Sequence, residues 1–138
     1  MAAKKQVKLP EKPSALIRLA LRDLEKVERS RRYVVDMSVY HVPNGHCRVC
    51  FAGSVMAYTL KVARDFNSVA TYQLPERGKM NALDCARRGD VGSMFEYLGR
   101  SMPKKIEPYF DVRPYDEDKK GFKRDMRKLA ATLARAGA

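Results

Sequence analysis

Histidine and cysteine are scarce in this chain of 138 residues, which contains two histidines and three cysteines. Two histidines leave few candidates for general acid–base catalysis. An odd number of cysteines argues against a disulfide framework, so we expect reduced thiols. No apolar run approaches the ~20 residues needed to cross a bilayer, and residues 1–13 lack the apolar stretch of a secretory signal. These absences predict a cytoplasmic protein with no membrane partner.

Sequence motifs of the common enzyme classes are missing as well. The chain has no Gly-rich phosphate loop ending in Lys-Ser or Lys-Thr, no dinucleotide fingerprint and no His-Glu-x-x-His. The pair Gly53-Ser54 does not complete a Gly-x-Ser-x-Gly elbow. We therefore predict a protein that is not an enzyme and that uses no cofactor.

Acidic residues are outnumbered by basic ones, with 28 Lys and Arg against 16 Asp and Glu, which gives a formal net charge of +12. Such an excess favours acidic partners, and it predicts binding to nucleic acid or to an acidic protein surface. The alternative is that the charge only keeps the protein soluble. The apolar fraction of 45% is sufficient for a hydrophobic core.

The spacing of apolar residues predicts a mainly α, compact single domain with four or five helices and one or two short strands; the alternative is an α+β fold. Residues 1–13 are basic and end in prolines, which predicts a flexible arm before a helical domain over 14–138. The predicted elements are a helix over 15–29 capped by Ser14, a strand over 33–42, a buried helix over 47–63, a strand over 69–74, a helix from Pro75 to near Gly89, a helix capped by Asp90, an irregular segment over 101–115 and a last helix opened by Asp116, Glu117 and Asp118.

One side of the predicted buried helix carries only small residues. Cys50, Gly53, Ser54 and Ala57 recur at the spacing that places side chains on one face of a helix. We expect this strip to let another element of the fold approach closely.

Four potential zinc ligands, His41, His46, Cys47 and Cys50, lie within ten residues. Zinc prefers cysteine and histidine ligands, but structural sites usually combine two half-sites, and a second one is missing here. A redox pair at Cys47 and Cys50 would call for a strand–helix–strand context, which the sequence does not predict. We expect these cysteines to serve packing, with no bound metal.

The last predicted helix is the best candidate for an anion-binding surface. Its basic residues are interrupted by a single acid, Asp125. Positions four apart share one side of a helix, so Lys119, Lys123 and Arg127 are expected to form a common face. The alternative is a solvated helix with internal ion pairs. The predicted binding residues are Lys119, Lys120, Lys123, Arg124, Arg127 and Lys128.

A Gly-x-Cys-x-Val-Cys-x-Ala-Gly segment runs from Gly45 to Gly53 and follows an amphipathic helix and a Tyr-x-Val-Asp-Met stretch from Tyr33 to Met37. With these motifs, residues 14–60 resemble a group of small tailed-phage proteins. The group has no assigned activity, so the resemblance implies no functional residue. It implies a context, namely a phage gene product that acts in a bacterial cytoplasm.

The sequence therefore supports three hypotheses. The first is a non-enzymatic, phage-encoded accessory protein that engages nucleic acid or an acidic host surface through a basic face. The second is an inhibitor of a host enzyme or defence system, with the charge steering association. The third is a small zinc-stabilised module or a metal-dependent nuclease.

Overall fold

Five helices and three short strands make up the described part of the chain, which in this computed structural model comprises residues 7–67, 73–106 and 109–138. The order of the strands in the sheet is β1–β3–β2, with β1 parallel and β2 antiparallel to β3. This architecture confirms the mainly α prediction, with three strands instead of one or two. The elements are α1 (Pro13–Arg29), β1 (Tyr33–Val35), β2 (His41–Val42), β3 (Cys47–Val49), α2 (Phe51–Tyr58), α3 (Arg77–Arg87), α4 (Val91–Tyr97) and α5 (Lys119–Arg135).

Helix α2 lies at the centre of the hydrophobic core, as the absence of a polar face predicts. Its residues 51–56 are all buried, and α1, α3 and the sheet pack against it. The ring of Phe51 meets the edge of Phe122 from α5, with 5.6 Å between the ring centroids. Helix α5 also packs along α1, and α4 packs on α3. No helix in the ranges described is both long and apolar enough to cross a bilayer.

Helix α1 begins earlier than predicted. Pro13 is its first residue and Lys12 is its N-cap, so the prediction that Ser14 caps this helix is wrong. Proline suits the first helical position because its missing N–H would have no intrahelical partner. The hydroxyl of the buried Ser14 donates instead to the carbonyl of Ala138, at 2.7 Å.

The predicted strand over 33–42 is divided into β1 and β2 by a turn. The carboxylate of Asp36 accepts hydrogen bonds from the amide and the hydroxyl of Ser38, at 3.0 and 2.5 Å. An aspartate that bonds the backbone two residues ahead stabilises a turn and competes with strand pairing. The alternating pattern of apolar residues continues through this turn, which explains why the sequence predicted one strand.

The predicted helix over 47–63 is shorter, because its first residues form β3 and α2 ends at Tyr58. An apolar run of this kind does not by itself distinguish a buried strand from a buried helix. After α2 the backbone of Lys61 adopts a left-handed conformation, with φ of 52°. Most of the strand predicted over 69–74 lies outside the described residues; Gln73 and Leu74 at its end are not in a strand.

The remaining helices agree with the prediction except at their starts. Helix α3 begins at Arg77, so Pro75 is not its first residue, and Gly89 with φ of 78° follows its end. Asp90 caps α4 as predicted, its side chain accepting from the amide of Ser93. The last helix is capped by Asp118, while Asp116 and Glu117 lie in the preceding turn. The described residues of the segment 101–115 contain no helix or strand, as predicted.

The expected flexible arm, residues 1–13, is described only from residue 7 onward. In that part Leu9 is buried, with 2% of its surface exposed. The ammonium group of Lys79 donates to the carbonyl of Leu9 at 2.9 Å and pairs with Glu11 at 3.1 Å. Leu9 and Glu11 are therefore in contact with the domain, while the side chains of Val7, Lys8 and Lys12 are exposed.

The small-residue strip of α2 permits a close approach, as predicted. A Cβ added to Gly53 would lie 1.6 Å from the carbonyl oxygen of Tyr40. The same oxygen accepts a hydrogen bond from the amide of Cys50, at 3.3 Å. The segment between β1 and β2 thus crosses α2 at a distance that only glycine allows.

We expect Gly53→Ala to lower the free energy of unfolding by about 3 kcal/mol or more, because the new methyl group overlaps the backbone of Tyr40. Urea denaturation followed by circular dichroism measures this loss. The matched control is Gly99→Ala, where φ is 62° and the added Cβ meets nothing within 4 Å. Backbone strain alone predicts a loss of about 1 kcal/mol at Gly99. Equal losses in the two variants would contradict the close approach.

Candidate functional site

Helix α5 is held in place by its apolar side, which fixes where its basic residues project. The buried stripe includes Phe122, Met126 and Leu129. Phe122 contacts Phe51 of α2, and its ring also meets that of Tyr115 edge-on at 5.6 Å. The six basic residues predicted to bind a partner therefore occupy the other sides of the helix.

Two of these six residues, Lys123 and Arg127, face α1 and are paired with its acids. Lys123 lies 2.5 Å from a carboxylate oxygen of Glu28, and Arg127 lies 3.0 Å from Glu25. Glu28 also accepts a hydrogen bond from the hydroxyl of Tyr115, at 2.6 Å. The positive charge of these two residues is therefore largely compensated within the fold.

The ammonium group of Lys119 lies over the ring of Tyr115, 5.6 Å from its centroid. The predicted common face of Lys119, Lys123 and Arg127 is thus the side of α5 that contacts its neighbours. Lys119 and Arg127 nevertheless remain exposed to solvent.

The other three residues, Lys120, Arg124 and Lys128, form what we call the outward row. All three are exposed, and they follow one another at four-residue spacing. With a rise of 1.5 Å per residue, successive members are separated by about 6 Å along the helix axis. Within the described ranges, none of the three side chains has an ion pair. This row is therefore a continuous line of uncompensated charge along α5.

The single acid inside the basic stretch does not neutralise the outward row. A carboxylate oxygen of Asp125 accepts a hydrogen bond from the backbone amide of Arg113, at 2.9 Å. Helix α1 adds exposed arginines, Arg18 and Arg22, at four-residue spacing. The two antiparallel helices therefore present basic residues on both sides of the ion pair between Glu25 and Arg127.

His41 and Cys47 are the only two of the four candidate zinc ligands that are in contact. His41 on β2 is buried, and its Nε2 lies 3.6 Å from the Sγ of Cys47 on β3. Its Nδ1 lies 2.7 Å from the carbonyl oxygen of Arg64. Because a carbonyl only accepts, Nδ1 carries the proton and Nε2 accepts from the thiol.

Neither of the two other candidate ligands has a hydrogen bond to this pair in the part of the chain that the structure describes. Cys50 is the N-cap of α2, where its Sγ accepts from the amide of Gly53 at 3.3 Å. Burial raises the pKa of the Cys50 thiol to about 11, which disfavours the thiolate that zinc requires. His46 is exposed in the turn before β3. The described residues contain no group of three or more His, Cys, Asp or Glu that could hold a metal ion.

Cys47 borders an open cleft of about 500 Å³. The cleft is also lined by Arg31 and Arg32, which follow the end of α1, and by Tyr33 and His46. These two arginines did not emerge from the sequence analysis. They carry no motif, and only the parallel pairing of β1 with β3 brings them beside Cys47.

No protein-family model, no curated protein and no solved structure matches this chain.

Cys47 is expected to react with iodoacetamide well before Cys50 and Cys85, because only 2% of the surface of each of the latter is exposed. Burial also raises the pKa of the Cys47 thiol above its ordinary value of 9.0. Its alkylation rate follows the thiolate fraction and should therefore still be rising as the pH passes 9. Mass spectrometry of timed digests measures both effects. A rate that levels off below pH 8 would contradict the neutral thiol.

Proposed function

We propose that the protein is a non-enzymatic accessory protein that binds the phosphate backbone of nucleic acid through the outward row of α5. The observation that carries the proposal is the exposure of Lys120, Arg124 and Lys128 in one line without acidic partners among the described residues. Three aligned cations displace counterions from a phosphate backbone, which is the dominant source of sequence-independent affinity.

The charge of the whole chain supports this choice of partner. A net charge of +12 favours the approach of any polyanion, and the exposed Arg18 and Arg22 of α1 extend the basic surface beyond α5. The chain would act on nucleic acid in a bacterial cytoplasm, as the phage resemblance of residues 14–60 suggests. An inhibitor of a host enzyme would use the same charge for steering, but no feature of the described surface favours that role over nucleic acid.

Reversal of the outward row should abolish most of this binding. Fluorescence anisotropy with labelled single-stranded DNA, duplex DNA and RNA, at several salt concentrations, compares the parent with Lys120→Glu/Arg124→Glu/Lys128→Glu. Because log K falls as log salt rises, the slope of log K against log salt is negative. Loss of about three phosphate contacts should make it shallower by about 2 to 3 for duplex DNA.

The matched control reverses three exposed cations elsewhere, Arg77→Glu/Lys104→Glu/Lys105→Glu. Both triple variants lower the net charge by six, from +12 to +6. Equal losses in the two would mean that binding depends on net charge alone. No binding by the parent at low salt would refute the nucleic-acid proposal, and a search for an acidic protein partner would follow.

A second variant should strengthen binding instead. Glu25→Gln removes the partner of Arg127, whose side chain is already 59% exposed, and so adds one uncompensated cation beside the outward row. We expect tighter binding and a salt slope that is steeper by about 1 for duplex DNA. Unchanged affinity in the same anisotropy titration would place the binding surface away from the α1–α5 side.

A further inference from the structure

The cleft beside Cys47 has the charge of an anion site. Arg31, Arg32 and His46 line it, and none of the described residues that line it is acidic. Neither guanidinium makes an ion pair within the ranges described. The two arginines therefore hold their charge toward solvent at the mouth of a concave surface, where fields from like charges reinforce one another.

The number of charges distinguishes the kind of anion. A phosphate monoester carries about −1.5 to −2 at neutral pH, whereas a carboxylate carries a single charge. Two guanidinium groups balance the charge of a phosphate monoester, and their planar N–H donors suit phosphate oxygens. The imidazole of His46 adds a further nitrogen donor at the same edge.

The rest of the cleft offers room and surface for an organic group. Its volume of about 500 Å³ falls within the range of small-molecule sites and exceeds what a bare phosphate needs. The ring of Tyr33 forms part of the wall and packs on Tyr58, with 5.2 Å between centroids. The side chain of Val62 adds an apolar patch. A flat or apolar group attached to the phosphate would contact these side chains.

The floor of the cleft is neutral and fixed. The ring of His41 is oriented by the carbonyl of Arg64, and its Nε2 accepts a hydrogen bond from the neutral thiol of Cys47. The partly exposed sulfur thus lies in the cleft without a charge that would repel an anion. It also provides a chemical reporter of what occupies the site.

From this combination we propose that the cleft binds a phosphate monoester, with the phosphate held by Arg31, Arg32 and His46 and the attached group lying along Tyr33 and Val62. The proposal does not depend on nucleic-acid binding by α5. The same chemistry is offered by a free mononucleotide and by the terminal phosphate of an oligonucleotide, and the experiment separates these two sources.

The first test compares two alkylating reagents on Cys47 in the full-length protein. Thiolate attack forms the carbon–sulfur bond and releases iodide with either reagent, but iodoacetate is an anion and iodoacetamide is neutral. We expect Arg31→Gln/Arg32→Gln to lower the ratio of the iodoacetate rate to the iodoacetamide rate at least threefold. The iodoacetamide rate itself should stay within a factor of two, which shows that the cleft is still folded.

The matched control for charge is Arg77→Gln/Lys105→Gln, which lowers the net charge by the same two units at exposed positions outside the cleft. The rate ratio should remain at the parent value in this control. An equal fall of the ratio in both double variants would overturn the proposal, because it would show that only the net charge matters.

The second test uses protection of Cys47 from iodoacetamide. AMP should slow the reaction in the parent protein and not in Arg31→Gln/Arg32→Gln, whereas adenosine, which lacks the phosphate, should not slow it. Protection by adenosine equal to that by AMP, or protection by neither, would overturn the proposal. Inorganic phosphate alone should protect more weakly than AMP, because it leaves the Tyr33 wall uncovered.

A third comparison identifies the source of the phosphate. It uses the variant Lys120→Glu/Arg124→Glu/Lys128→Glu, in which α5 no longer binds the oligonucleotide. A 5′-phosphorylated dinucleotide that protects Cys47 better than AMP, while its 5′-hydroxyl form does not protect, identifies a strand end as the ligand. Better protection by AMP identifies a free mononucleotide. Either result supports the phosphate site even if the parent fails to bind long oligonucleotides, so the two proposals can fail separately.

Discussion

The fold depends on one constraint, which is that α2 has no polar face and must be covered on every side. Helices α1 and α3 cover most of it, and Phe122 of α5 closes another part. The remaining side is covered by backbone, because the carbonyl of Tyr40 lies directly above Gly53. This contact holds the small sheet against the helix. Because β3 ends at Val49 and α2 begins at Phe51, the sheet and the helix are joined directly, and the pairing of β2 with β3 brings Cys47 beside His41.

Local patterns predicted the helices well and the site only in part. Each apolar stripe, in α1 and in α5, and each cap, at Asp90 and at Asp118, is a pattern formed by residues that are close together in sequence. These helices could therefore be found without the structure. The turn at Asp36 escaped prediction because the apolar alternation continues through it. The pairing of Lys123 with Glu28 and of Arg127 with Glu25 also escaped it, because the acids precede the bases by about a hundred residues. Arg31 and Arg32 were not recognised beside Cys47 because only the parallel pairing of β1 with β3 brings them there.

The contacts between α1 and α5 change the meaning of the basic composition. A helix with seven cations would present positive charge on most of its exposed circumference, but the two acids of α1 compensate one side of it. The exposed pair of Arg127 with Glu25 contributes up to about 1 kcal/mol to stability. The larger effect of the two pairs is on the electrostatic field, because they reduce the positive charge on the side of α5 that faces α1. A second group of cations, Arg31 and Arg32, lines the cleft beside Cys47. The net charge of the chain therefore does not by itself show which basic residues are available to a partner.

The partnership of α1 with α5 has a consequence for the newly made chain. Some 90 residues separate the last residue of α1 from the first residue of α5. At about 5 to 20 residues per second, a ribosome needs between about 5 and 20 s to add them. During this interval the part of the apolar stripe of α1 that α5 will cover has no partner within the chain. Transiently exposed apolar surface makes an unfinished chain prone to aggregation, so the order of the two helices in the sequence lengthens the period of risk.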